Sequence, residues 1–301
     1  MIPQFFLFIL LATGIILSSC GTQRKIEDTR KAIAVFKEEQ KSETARISSV
    51  KDFSVVKLDE GKIDKNIKHL IDTRINRYTN KIDSSKKVLS TLESLIEDKK
   101  KFRKGYKEIV LPALDSLKKD TSTAGERLKI YMMIEDGLNV ASYHLFDLAA
   151  FFGSGKYIIP EDKVDFAQAS FAPIIDSLIL FSNKYNDKSR TASLLILGFA
   201  DGAGFSEGPL YDTLKIMTGK ESATKEELNQ KLSELRAREL IKHLEQIYIQ
   251  KQQHFPMTKD FRIEYIGQGK GEEYPLPTIK DYMVEDDRRR IVLCYWIVLP
   301  D

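Results

Sequence analysis

Two side chains of opposite charge are the best candidates for binding chemistry in this sequence. Asp201 stands in "LLILGFADGAGF" (194–205), where an apolar run stops at Gly198 and a single carboxylate follows among small residues. Gly198, Gly202 and Gly204 let main chain come close to whatever sits there. Arg236 stands in "LSELRARELIKHLEQIY" (232–248). At 100° per residue Ala237, Leu240, Ile241, Leu244, Ile247 and Tyr248 share one face, with Arg236 at its edge. A strand-end carboxylate and a helix-flank guanidinium that met in one pocket would suit a zwitterion, with an ammonium on Asp201 and a carboxylate held bidentately by Arg236. The competing reading is a salt bridge between the two, worth only about 0–1 kcal/mol if exposed.

Other arrangements carry less. His69, His144, His243 and His254 are scattered without the spacing of a zinc site. Gly267, Gly269 and Gly271 make a G-x-G-x-G, but "EEYPLP" follows where a nucleotide fingerprint needs a helix opening. Ser193 and Ser206 lack an elbow motif with a nearby His. No carboxylate pair has a spacing that assigns acid and base roles. Cys294, inside "IVLCYWIVLP", reads as a small buried hydrophobe. No catalytic residue, metal or cofactor is expected, and the protein is not expected to be an enzyme. The net charge of +3 from 47 basic and 44 acidic residues gives no nucleic-acid footprint.

The elements that would position Asp201 and Arg236 follow from periodicity. Residues 61–118 show apolar steps of three and four, from Ile67, Leu70, Ile71 and Ile75 to Leu92, Leu95 and Ile96. Pro112 marks a break or restart. Residues 127–152 read as one apolar helix containing Gly137, and "GSGKY" (153–157) punctuates the chain. Met132, Met133, Phe146, Phe151 and Phe152 have the spacing of core residues, and His144 lies on this expected helix. Beyond 157 the texture changes. "DKVDFAQASF" (162–171) alternates loosely, and "PIIDSLILFSNKY" (173–185) is a predicted helix with Pro173 in its first turn. "TASLLILGFAD", "DFRIEYIGQGKG" and "RRRIVLCYWIVLP" are predicted strands. The helix bearing Arg236 starts either at Ser233, which would put Arg236 in an anion-attracting first turn, or at Thr224, whose Thr-Lys-Glu-Glu matches a capping box.

Four motifs in order, "GFADGAG", "LNQKLSELRA", "GKGEEYP" and "DRRRIVL", resemble the peptidoglycan-binding C-terminal domain of the OmpA family. The likeness covers about 157–301. It implies an α+β fold: an N-terminal all-helical region, then a βαβαββ domain with a small mixed sheet and helices on one face. It also implies that Asp201 and Arg236 grip the amino-acid head of diaminopimelate in the wall stem peptide, with Asn229 as a hydrogen-bonding partner. The family's paired arginines fall on Arg288-Arg289 or Arg289-Arg290, and Arg289, common to both registers, is the expected ligand residue. Phe199 and Ala200 replace the family's His and Thr, and about 20 extra residues follow Gly204.

At the other end, "FFLFILLATGIIL" leads into "LSSC" (17–20), which resembles the lipobox of bacterial lipoproteins, although "MIPQ" lacks a basic residue. The expected organisation is a signal peptide (1–19), a tether lipidated on Cys20 (20–60), a helical hairpin or bundle (61–156) and the OmpA-like domain (157–301). The expected protein is an outer-membrane lipoprotein facing the periplasm. Its partners would be the membrane, through the lipid, peptidoglycan, and an envelope protein on the helical region; no nucleic acid is expected. The alternative is a scaffold component of an envelope assembly with a degenerate or occluded OmpA-like domain.

Overall fold

The computed structural model describes residues 4–141, 143–147, 156–253, 260–276 and 278–301, with side chains from Gly21 onward. The side chains of the lipobox with Cys20 and of Tyr143, Leu145, Phe146 and Asp147 lie outside this description, as do Phe151, Phe152, "GSGKY" up to Gly155 and His254. The chain forms an α+β protein, helical first and strand-containing after. It divides into two compact units, residues 1–52 with 75–132, and residues 53–74 with 133–301.

The first unit is built on helices α1 (Gln4–Asp59) and α2 (Lys65–Glu97), whose joining turn lies in the second unit. They run antiparallel, since Lys37 meets Glu93 and Lys51 meets Asn76. Residues 21–59, whose sequence reads as a tether or a weak helix, are helical. Their inward positions Thr22, Ile26, Thr29, Ile33, Phe36, Gln40, Glu43, Ile47, Val50 and Ser54 alternate steps of four and three, a heptad seam. Half of those positions are polar, which is why the stripe did not stand out. Helix α3 (Lys99–Gly105) starts on the Asp98 cap, and a wide π turn at 106–110 leads into α4 (Leu111–Ser122), with Pro112 in its first turn. Leu89, Leu92, Phe102, Val110 and Leu117 close the core over Ile26, Ile33 and Phe36. Helix α5 (Ala124–Val140) supplies Arg127, which forks onto Glu43 (Nε to Oε1 2.6 Å, Nη2 to Oε2 2.9 Å) and also reaches Asp120. Tyr131 donates to the same Glu43 at 2.7 Å.

The second unit holds a four-stranded sheet. Its strands are β1 (Tyr143–Asp147), β2 (Arg190–Gly198), β3 (Phe261–Gly269) and β4 (Ile291–Pro300), in the order β1-β4-β2-β3. β2 and β3 are parallel, and β4 is antiparallel to both β1 and β2. Parallel neighbours need a crossover. Helices α7 (Pro209–Thr218) and α8 (Lys225–Gln252) provide it between β2 and β3, and α6 (Val164–Lys184) connects β1 to β2.

The helix expected over 127–152 therefore ends at Val140, and the sheet begins at 143, ahead of the expected boundary at 157. His144 lies on β1, paired with Cys294, not on a helix, and burial lowers its affinity for a proton. Met133 enters the core while Met132 is exposed. Helix α6 starts nine residues before Pro173, which lies inside it on the exposed side. There the missing N–H costs one bond, and the carbonyl it would have met can be hydrated. Its length and apolar content would suffice to cross a membrane, yet Phe171, Ile174, Ile175, Leu178 and Ile179 pack in the domain core.

α6 and α8 cover one sheet face through Ala192, Leu194, Ile196, Val292, Cys294, Trp296 and Val298. The alternate residues Leu195, Leu197, Leu293 and Ile297 are buried as well. On that second face a Cβ at Gly137 would stand 3.3 Å from Ile297, and Asn66 reaches Gln268 at 3.4 Å.

Candidate functional site

β2 ends at Gly198 because α8 lies against it there. A Cβ on Gly198 would be 2.1 Å from the Ser233 carbonyl oxygen, and one on Gly269 would be 2.5 Å from Ser233 Oγ. Beyond the strand the main chain is stitched to three neighbours. Phe199 N–H donates to Ile291 O (3.0 Å), Ala200 N–H to Gly271 O (2.8 Å) and Gly202 N–H to Val284 O (2.7 Å). Val284 leaves no room for a side chain at Gly202. This stitching holds Asp201 in place, only 4% exposed.

α8 is capped at Thr224 with a full capping box, so the account that started it at Ser233 is corrected. Arg236 lies well inside the helix, and no free N-terminus attracts an anion there. The change of apolar phase along α8 has another cause. Leu228 and Leu232 face α7, in a cluster with Ala200 and Leu214, whereas Ala237, Leu240, Leu244 and Ile247 face the sheet. The segment after Gly204 thus folds onto α8 and packs Leu214 against the buried Ala200.

Asp201, Asn229, Arg236 and Arg289 all lie in the region where β2 and β3 end and β4 begins, and all four are buried. Their partners differ from those expected. Asp201 accepts at Oδ2 from Arg290, from Nε at 2.8 Å and from Nη2 at 2.5 Å. Arg290 also pairs with Asp287. Arg236 donates from Nη1 to Phe199 O (2.9 Å) and from Nε to Lys156 O (3.3 Å). It feels Asp201 electrostatically. Burial pulls its guanidinium down to about 10, with Asp201 opposing that fall and Arg290 adding to it. For Arg290, burial also favours deprotonation, but Asp201, Asp287 and Glu285 outweigh it and hold the group above its ordinary value.

Asn229 and Arg289 serve the surrounding loops. Asn229 Nδ2 donates to Ala203 O (3.2 Å) and to Glu272 Oε1 (2.8 Å). Arg289 donates to the carbonyls of Val284 (2.8 Å), Met283 (3.2 Å) and Glu272, and its guanidinium stacks over Tyr274. Lys225 joins from α8, donating to Gly202 O at 3.0 Å with Glu272 3.9 Å away. Lys225 and Glu272 were missed, and Arg290 was left open. Arg290 belonged to one of two open motif registers, and Glu272 follows the last glycine of "GKGEEYP". A motif places such residues in order but does not say which side chain turns inward.

The arrangement is a buried ion pair, Asp201 with Arg290, extended by Asp287 on Arg290 and lying within the electrostatic influence of Arg236. Such a pair adds little net stability, but removing one partner costs about 3–5 kcal/mol because a buried charge is left unanswered. Among the described residues no group of three or more His, Cys, Asp or Glu gathers as for a metal ion. Cys294 lies in the core, where burial pushes its thiol up to about 12. The chain matches no protein-family model and no curated protein, so its likeness to the OmpA domain rests on the four motifs quoted above.

Proposed function

We propose that this chain is a non-catalytic outer-membrane lipoprotein, anchored through Cys20, whose C-terminal domain binds peptidoglycan by the diaminopimelate head of its stem peptides. One observation supports the reading above the others. Asp201 and Arg236, 35 residues apart in sequence, are buried within each other's electrostatic reach at one end of the sheet. The ammonium of the amino-acid head would pair with Asp201, and its carboxylate would lie towards Arg236 and the Arg289–Arg290 side. Lipid at one end and wall at the other would restrain the distance between membrane and wall. Linking the two raises effective concentration, so modest affinity at each wall site suffices.

A second reading has its own observation. Arg290 already sits on Asp201, and Val284 stands over Gly202. On that reading the site is occluded, the domain is a scaffold, and the helical unit carries the partner. Co-sedimentation of the full chain with purified sacculi separates the two. On the first reading the wild type pellets, free diaminopimelate competes, and Asp201→Asn releases the chain while its circular dichroism is unchanged. If wild type and Asp201→Asn pellet equally, or neither pellets, the wall-binding reading fails.

A further inference from the structure

Asp201 is bound from one side only. Both Arg290 donors go to Oδ2, and among the described residues no hydrogen bond reaches Oδ1. Arg290 is the more accessible of the pair, its side chain 17% exposed against 6% for Asp201. It has somewhere to go, because Asp287, 73% exposed, already holds its Nη1. With Arg290 away, Asp201 keeps only the electrostatic influence of Arg236, so an incoming cation is needed to answer its charge. Arg236 is the fixed cation, tied to two main-chain carbonyls inside the fold.

We propose that the Arg290 position on Asp201 is an exchangeable cation subsite, in which the chain's own guanidinium stands in for the primary ammonium of a ligand and must swing to Asp287 before that ligand can enter. The identity of the ligand as a stem-peptide amino group rests on the wall-binding reading; the exchange itself does not. Arg290 is then a specificity element. Charge-assisted hydrogen bonds to a carboxylate are available to guanidinium and ammonium groups alike, but not to a quaternary amine or an uncharged sugar. The observed affinity would be the intrinsic one reduced by the fraction of molecules with Arg290 swung away.

The test uses the full chain and the fluorescence of Trp296, its only tryptophan and a core residue of this unit. In Arg290→Ala, methylguanidinium at about ten times its dissociation constant should raise the unfolding midpoint by about 3 °C. Tetramethylammonium at equal ionic strength should not, nor should methylguanidinium raise it in wild type or in Asp201→Asn with Arg290→Ala. A variant that folds only with methylguanidinium gives the same answer in stronger form. If Arg290→Ala folds alone and shows no specific rise, the subsite is refuted. If it folds in neither condition, Arg290→Gln is decisive: a specific rise there supports the subsite, and none refutes it. In the sacculus assay Arg290→Gln should bind about tenfold more tightly than wild type. Rescue by methylguanidinium without that gain keeps the subsite and removes the wall ligand.

Discussion

Asp286 shows how one carboxylate can shape a loop that bears charges for others. It caps the turn at 287–289, accepting from the backbone of Met283 and Arg288 and from the Arg288 side chain at 2.6 Å. The Arg288 hydrogen bonds hold its carboxyl well below the ordinary value, against a smaller opposing effect of burial. The sign follows from that depression. Above the ordinary aspartate pKa the folded state gains the full benefit, and the benefit is lost as pH falls towards the lowered folded-state value. Asp286→Asn should therefore unfold at a lower temperature than wild type at neutral pH. The gap should narrow once pH drops below about 4 and close near the acid limit, as read by Trp296 fluorescence. A gap independent of pH would show that the carboxyl's charge is not what holds the turn. Asp201 and Arg236 could be picked out from charge and position alone. Arg290 could not, because three successive arginines look alike until the turn decides that Arg288 faces Asp286, Arg289 the carbonyls and Arg290 the buried aspartate.

At the scale of elements, glycine spacing sets how closely α8 lies on the sheet. At Gly198 an added methyl would meet main chain, Ser233 O at 2.1 Å and Ala237 N at 3.2 Å, and neither can rotate away. Gly198→Ala should cost about 3 kcal/mol in urea unfolding. Gly204→Ala, with nothing within 4 Å, should change stability by less than about 0.5 kcal/mol. Equal effects would mean that the contact between α8 and β2 is not tight. The three C-terminal strands and α8 were legible because apolar runs, a capping box and glycine turns agreed. β1 was not, because its five residues continue an apolar helical pattern and only pairing with β4 makes them a strand. The first half of α6 was hidden by Pro173, which reads as a helix start when its solvent-facing position is unknown.

At the scale of the molecule, neither unit is one continuous stretch of chain. The turn between α1 and α2 belongs with the sheet, through Asn66 and Gln268, while the long arms of both helices belong to the other unit. Sequence texture marks a boundary near 157, but the packing of the second unit begins with residues 53–74 and resumes at 133. A fragment of residues 157–301 would leave one edge of β4 unpaired and strip Gly137 from Ile297. Exposed edges of this kind template association. On size exclusion with light scattering that fragment should aggregate, whereas residues 21–301, which keep both units whole, should elute as one defined species; an equally well-behaved 157–301 fragment would place the boundary back at 157.

Strand order has a consequence for biosynthesis. β4 lies between β1 and β2 yet is translated after both. While the ribosome is still adding the residues before 291, β1 has no neighbour and the β2–β3 pair has an open inner side. Until its central strand emerges the nascent domain therefore exposes unpaired strand edges, the kind of surface that templates association.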